Sequence, residues 1–180
     1  SRTAEKAPAD DFDYTVDRFA DIEVLRYKVP DFDSLSLNQK ILVYYLQEAA
    51  LWGRDILWDQ NYIHNLPIRD MLEAVYTNYD GDKADPKYQA FETYMKQVWF
   101  GNGIHHHYSN DKFVPAFSRE FLTSQLAKLP EGTAPADADE LVEIIFNPAL
   151  DAKRVNQAQG ADLVASSAGN FYEKGLTQAE

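Results

Sequence analysis

Three of the chain's four histidines are consecutive, at residues 105, 106 and 107, and together they suggest a metal site. If the segment is extended, His105 and His107 face the same side, because side chains alternate along a strand. With Asp111 nearby, this pair could bind a divalent cation. A tetrahedral zinc site needs three or four ligands, and His64 is the one histidine elsewhere in the chain. This loop could therefore belong to a metal-storing or metal-sensing domain.

Two other interpretations of the histidine segment remain open. In the first, one histidine is buried and hydrogen-bonded while the other two lie in solvent. In the second, the segment recognises a polar ligand through its imidazole and phenol groups, because loops held by a rigid scaffold often carry binding residues. The glycines on its N-terminal side would suit either arrangement.

No other group of residues specifies a reaction. Asp55 and Asp59 lie one turn apart on a predicted helix, where a carboxylate pair can bind a cation or exchange protons but more often forms a solvated surface. The chain contains no glycine-rich phosphate loop, no Gly-x-Ser-x-Gly motif and no His-Glu-x-x-His motif. The residues taken alone therefore indicate no chemistry.

Helices are predicted on both sides of the histidine segment. The clearest spans Leu37 to Gln60: Ser36 and Gln39 have capping-box spacing, and apolar residues then recur at intervals of three and four. Its apolar face consists of Leu42, Tyr45, Leu46, Ala49, Ala50, Gly53, Ile56 and Leu57. The small residues on this face would allow another helix to approach closely.

Four further helices are predicted from residues that favour helix starts. These are Pro67 in a first turn, Asp85-Pro86 as N-cap and first residue, Ser118 as a cap, and Asp137 with Glu140 as a cap. Gly101 and Gly103 are expected to end the helix before the histidines. Residues 12–29 are predicted to form a short helix followed by an extended piece, and residues 163–166 a strand. The predicted fold is a mainly α, multi-helix domain with about five to six helices, long loops and little strand.

Length, charge and composition limit the classes of function. The chain has 180 residues, a formal net charge of −12 and no cysteine. The negative charge argues against a nucleic-acid partner, since phosphate binding needs a dense basic surface. No stretch approaches the roughly 18 apolar residues of a membrane span. We divide the chain into a flexible polar leader at 1–11, a helical domain at 12–150 and a tail at 151–180.

Two blocks of sequence resemble the N-terminal portion of the dipeptidyl peptidase III family of zinc metallopeptidases. The first is residues 42–57, with its Ala49-Ala50-Leu51-Trp52-Gly53 core. The second runs from Tyr88-Gln-Ala-Phe91 through Gly101-Asn-Gly103 to Asp111-Lys-Phe-Val-Pro115. Consecutive histidines between these motifs are similar to the bacterial branch of the family. The resemblance extends from about Phe12 to Tyr172.

The resemblance implies a function for the parent protein. Such enzymes have two lobes, use zinc to activate water, and remove dipeptides from the N-termini of short peptides. The family's His-Glu-x-x-Gly-His motif is absent from this chain, so we expect no catalytic residue and no bound zinc here. Expected groove residues are Asn102, His105, His107 and Tyr108. The alternative is a stand-alone helical binding or interaction module without catalysis.

The resemblance also bears on partners and location. Besides a peptide substrate in the parent cleft, we expect self-association of this chain through the edge that the missing remainder would cover. The compartment stays open: cytoplasmic, or periplasmic and cell-envelope if the polar leader follows a removed signal.

Overall fold

The computed structural model describes residues 11–180, and within this range the chain forms six α-helices and one two-stranded sheet. The elements are β1 (Thr15–Phe19), β2 (Ile22–Leu25), α1 (Leu37–Trp52), α2 (Arg54–Asn61), α3 (Asn65–Asn78), α4 (Pro86–Gly101), α5 (Arg119–Leu126) and α6 (Ala138–Phe146). The predicted mainly helical fold with little strand is confirmed. Apart from Asp11, the predicted leader lies outside the described residues.

The hydrophobic core lies among α3, α4, α5 and α6. Each of these helices buries one apolar face, and burying a single such side chain stabilises the fold by about 1.5–3 kcal/mol. The buried side chains are Ile68, Met71, Leu72, Val75, Tyr88, Phe91, Tyr94, Met95, Val98, Phe121, Leu122, Leu141, Val142, Ile144 and Ile145. The predicted starts of α4 and α5 are confirmed, since Asp85 and Ser118 accept hydrogen bonds from Lys87 N and Phe121 N. Asp137 precedes α6 as predicted but makes no side-chain capping bond.

The helix predicted over Leu37 to Gln60 is divided at Gly53 into α1 and α2. The predicted capping box is present: Gln39 N donates to Ser36 Oγ at 3.4 Å, and Ser36 N donates to Gln39 Oε1 at 2.9 Å. The apolar residues of this predicted face are mostly exposed. No residue of α1 is buried, and Trp58 is the one buried residue of α2. The reason is that α3 to α6 pack against one another and leave α1 in contact mainly with α2.

A β-hairpin occupies residues 15–25, so the helix predicted within residues 12–29 is wrong. Side chains of β1 alternate between half-buried and exposed, which is the period of a strand. Arg18 and Glu23 face each other across the hairpin, with Arg18 Nη2 and Glu23 Oε1 2.6 Å apart. The hairpin packs on α4, where Lys96 Nζ lies 2.7 Å from Asp17 Oδ2.

The segment after α6 folds back onto the helices. Lys112 N donates to Ala152 O at 2.9 Å, and Asn170 N donates to Gln60 O at 2.9 Å. The strand predicted at residues 163–166 is a turn instead, because Asp162 Oδ1 accepts hydrogen bonds from Val164 N and Ala165 N. No helix of the described part has the length and hydropathy to cross a membrane.

Candidate functional site

The histidine loop, residues 102–115, leaves the end of α4 and is anchored there by a buried amide. Asn65, at the start of α3, is fully buried. Its Nδ2 donates to Trp58 O at 3.0 Å, and its Oδ1 accepts from Ile104 N at 3.1 Å. Asn102 adopts the left-handed conformation (φ 50°) and caps α4. The carbonyl of Asn102 accepts a hydrogen bond from Asn61 Nδ2 at 3.1 Å, so α2 and α3 both hold the start of the loop.

Gly103 is required at this anchor for two reasons. Its φ of +146° is rarely adopted by residues with a side chain, and a Cβ atom would lie 2.1 Å from Asn65 Nδ2. Gly103 therefore allows the loop to pack closely against the amide of Asn65, whereas a Cβ at Gly101 would lie 3.4 Å from the Phe113 ring. Sequence reasoning assigned these glycines to helix termination. It missed Asn65, because nothing in the sequence indicates that an asparagine in a predicted connector is buried.

His105 is 2% exposed and ties the loop to the segment after α6. Its Nε2 donates to Asp151 O at 2.7 Å, and the Tyr62 hydroxyl donates to the Asp151 carboxylate. Because Nε2 carries the proton, Nδ1 is unprotonated in the neutral ring, and it has no hydrogen-bond partner among the described residues. Burial lowers the pKa of His105, and the nearby charges of Lys112 and Arg154 act in the same direction. The hydrogen bond to Asp151 opposes this shift.

His106 shapes the tip of the loop. Its Nδ1 accepts hydrogen bonds from Tyr108 N and Ser109 N, both at 3.1 Å. Its Nε2 lies 3.2 Å from Asp21 Oδ2, on the hairpin turn, and can donate to it. The neutral ring with a proton on Nε2 satisfies all three contacts. Sequence reasoning did not single out His106, because alternation along an extended segment placed His105 and His107 together and His106 on the other side.

His107 and Tyr108 occupy the exposed tip. Tyr108 is 86% exposed, although its backbone is fixed by His106. The His107 ring stacks on His106 at 4.5 Å between centroids and meets Phe100 edge-on at 5.0 Å. Partial desolvation and the adjacent His106 lower the pKa of His107. The tip therefore presents one phenol and one imidazole to solvent.

Arg154, in the segment after α6, holds the loop through hydrogen bonds. Its Nε and Nη2 both donate to Asn110 Oδ1, at 3.0 and 2.9 Å, and Nη1 donates to Asn61 Oδ1 at 3.1 Å. Nη2 also donates to the carbonyl of His107 at 3.3 Å. One guanidinium thus connects α2, the tip of the loop and the segment after α6 through its fixed fork of donors.

Lys112 anchors the second half of the loop from inside the protein. It is 9% exposed, and its Nζ donates to the carbonyls of Ile144 at 2.9 Å, Asn147 at 2.6 Å and Leu150. These carbonyls belong to the C-terminal end of α6 and the residues after it, where a cation is favoured. Burial lowers the pKa of Lys112, which the charges of Asp151 and Glu143 oppose. An apolar groove of about 370 Å³ lies beside this half, with Val114, Pro115 and Phe146 in its wall.

The four residues proposed to line a groove fall into two groups. His107 and Tyr108 are exposed, whereas His105 is buried and Asn102 is half-buried. The extended segment with His105 and His107 on one side is not formed, because residues 107–109 make a turn on His106 Nδ1. Asp111 pairs with Lys153, with 2.5 Å between Oδ1 and Nζ. Across residues 11–180, no three His, Asp or Glu side chains converge as a metal site would require.

Comparison with known proteins adds no assignment. No family model matches the chain, and no curated protein matches it either.

Substituting Gly103 tests the anchor. Gly103→Ala should lower the free energy of unfolding by about 3–5 kcal/mol, because the new methyl group collides with a buried amide in addition to straining the backbone. Gly160→Ala is the matched control: its φ is +83°, and nothing lies within 4 Å of its added Cβ. The free energy of unfolding of that variant should fall by about 1–2 kcal/mol, because only the backbone is strained. Equal losses in urea denaturation would contradict the proposed close contact.

Stability should depend on pH through His105. Its pKa is lower in the folded state, so below the ordinary histidine value of about 6.5 the unfolded chain binds a proton that the folded chain excludes. The contribution of the neutral His105 ring to the free energy of unfolding is complete above the ordinary histidine pKa. It is lost as the pH falls towards the folded-state pKa of His105.

We therefore expect the free energy of unfolding to fall from pH 7 to pH 5, and His105→Gln to reduce that fall. Gln keeps an N–H donor for Asp151 O. His107→Gln, at an exposed position, is the control and should reduce the fall less. An unchanged pH dependence in His105→Gln would show that the buried ring is not the titrating group.

Proposed function

We propose that this chain is the N-terminal helical portion of a zinc-dependent dipeptidyl peptidase of the dipeptidyl peptidase III type. In this proposal the histidine loop forms one wall of the peptide groove, and Tyr108 contacts the substrate. The chain by itself is catalytically inactive. One observation carries the proposal. Tyr108 is exposed on a fixed backbone, and it lies within the second sequence block that resembles the family.

A hydrogen bond between α2 and the second block of resemblance supports this proposal. The first block continues into α2, whose last residue, Asn61, donates to the carbonyl of Asn102. Asn102 is the central residue of the Gly-Asn-Gly motif in the second block. The helix that continues the first block therefore holds the central residue of the second block.

The properties of the loop tip also support a role in peptide binding. Tyr108 offers a large apolar ring and a hydroxyl, and its backbone is fixed, so binding would cost little conformational entropy there. The apolar groove beside Val114 and Pro115 could accept a side chain of the same peptide. His105 acts indirectly in this arrangement, because its buried ring positions the loop and does not reach solvent.

Zinc enters this proposal only through the part of the protein that carries the His-Glu-x-x-Gly-His motif. The histidines of residues 11–180 are engaged differently: His105 holds Asp151 O, and His106 holds the loop tip. They do not fit a zinc ligand set, and we assign no catalytic step to them.

The test is an assay of dipeptidyl-arylamide hydrolysis. We expect zinc-dependent hydrolysis from the protein encoded by the complete reading frame, lost on chelation and restored by zinc, and none from residues 1–180 alone. Turnover by residues 1–180 would contradict the inactive role. A complete protein without this activity, or a reading frame without the zinc motif, would favour the stand-alone binding module.

The role of Tyr108 can be measured in the same protein. Tyr108→Ala should raise KM about tenfold with little change in kcat, because it removes binding shared by substrate and transition state. Tyr172→Ala removes another exposed tyrosine (61% exposed) outside the loop and should leave both constants unchanged. An unchanged KM in Tyr108→Ala would remove this residue from the groove.

A further inference from the structure

The two nitrogens of the His106 ring hold two different parts of the molecule. Nδ1 accepts hydrogen bonds from Tyr108 N and Ser109 N, both at 3.1 Å. On the other side of the ring, Nε2 lies 3.2 Å from Asp21 Oδ2, at the turn of the β-hairpin. Because both partners of Nδ1 are N–H donors, this nitrogen can bind them only while it carries no proton.

Protonation of His106 is incompatible with the turn at residues 107–109. The imidazolium ion donates from both nitrogens and accepts at neither. A proton on Nδ1 would point at two other donors, and both backbone hydrogen bonds would be lost. Rotation of the ring does not relieve this conflict, since either nitrogen of the charged ring is a donor. The closed turn therefore requires a neutral ring.

Two carboxylates lie near His106, and they favour a charge on the ring without restoring the turn. Asp21 Oδ2 contacts Nε2, and this contact becomes an ion pair when the ring is protonated. Asp111, in the histidine loop, is already paired with Lys153, with 2.5 Å between Oδ1 and Nζ. Since Asp21 contacts Nε2 and not Nδ1, its attraction stabilises the charged ring whether the turn is closed or open.

The remaining neighbours limit the rings to one positive charge. The His107 ring stacks on His106 at 4.5 Å between centroids, so two imidazolium ions would repel one another. Arg154, which donates to the carbonyl of His107, adds a fixed positive charge from the segment after α6. Phe100 from α4 and Phe113 from the loop contact the two rings and carry no charge. The proton is therefore expected on His106, the ring with a carboxylate at its Nε2.

Opening of the turn would be confined to residues 107–109. Asn110 N donates to His106 O at 3.1 Å, and Asn110 Oδ1 accepts from Arg154 Nε at 3.0 Å. Neither hydrogen bond involves the imidazole ring, so both persist after protonation. The two released N–H groups belong to exposed residues and can bond to water instead, so no buried donor is left unpaired.

From these contacts we infer that His106 is a pH-sensitive switch for the tip of the histidine loop. The neutral ring holds both the tip and the hairpin, whereas the charged ring keeps Asp21 and releases residues 107–109. Tyr108 then loses its fixed backbone. Because the closed turn excludes a proton that the open turn accepts, it is favoured at high pH and lost as the pH falls through the range of about 8 to 5 in which histidine ordinarily changes charge. The switch does not depend on the proposed function, since it acts on the loop whatever ligand the loop binds.

Nuclear magnetic resonance of the 180-residue chain at pH 8 and pH 5 tests this without any substitution. Backbone order parameters would be measured from ¹³Cα relaxation, which does not depend on amide exchange. At Tyr108 and Ser109 we expect values of about 0.85 at pH 8 and below about 0.6 at pH 5. Residues of α3 to α6 should keep the higher value at both pH values, because only the turn opens.

Two variants separate the roles of the two ring nitrogens. In His106→Asn the amide oxygen can take the place of Nδ1 and accept both N–H groups, and it does not titrate. The tip should then stay ordered at both pH values. In His106→Gln the amide reaches the place of Nε2 and can bind Asp21, but no acceptor remains at Nδ1. The tip should then be mobile at both pH values. His107→Asn is the matched control and should keep the change with pH.

Several results would overturn the inference. Equal order at Tyr108 and Ser109 at pH 8 and pH 5 in the unsubstituted chain would show that the turn does not respond to protonation. Loss of order in α3 to α6 together with the tip would indicate general unfolding and reject a local switch. A tip that still becomes mobile at pH 5 in His106→Asn would assign the titration to another group.

Discussion

The buried amide of Asn65 is the contact on which the candidate site depends. It donates to Trp58 O in α2, accepts from Ile104 N in the histidine loop, and itself belongs to α3. This arrangement exists only because Gly103 has no side chain. A buried amide that loses a partner costs about 1–3 kcal/mol, so these three segments hold one another in place. The direction in which the loop leaves α4 follows from this contact.

The remainder of the loop is held by two cationic side chains, Lys112 and Arg154, although the chain as a whole is acidic. The chain has 17 Lys and Arg against 29 Asp and Glu, yet Lys112 is buried and Arg154 is largely occupied by internal acceptors. Both donate to carbonyl or amide oxygens of neighbouring segments. Their effect is a rigid support from which Tyr108 projects. A rigid loop with an exposed tip suits ligand recognition, because the conformational entropy of the loop is lost during folding and is not lost again on binding.

Local signals in the sequence were sufficient for most of the helices. Asp85-Pro86 and Ser118 act through neighbouring backbone groups, so their roles can be predicted without knowledge of the fold. The hairpin was missed because its pairing of Arg18 with Glu23 depends on a partner strand. One of the open interpretations had a single buried histidine, but it did not say which, and the burial of Asn65 was missed. Both depend on distant partners, which lie 46 and 39 residues away. The six consecutive apolar residues at 41–46 are visible in the sequence, but its interpretation placed the apolar residues of this helix on one face.

The central proposal is that the histidine loop forms one wall of a peptide groove, with Tyr108 at its exposed tip. The most direct measurement is a crystal structure of the protein encoded by the complete reading frame with a short peptide bound. The account predicts that the Tyr108 ring lies within about 4 Å of the peptide. A peptide bound away from Tyr108 would contradict it.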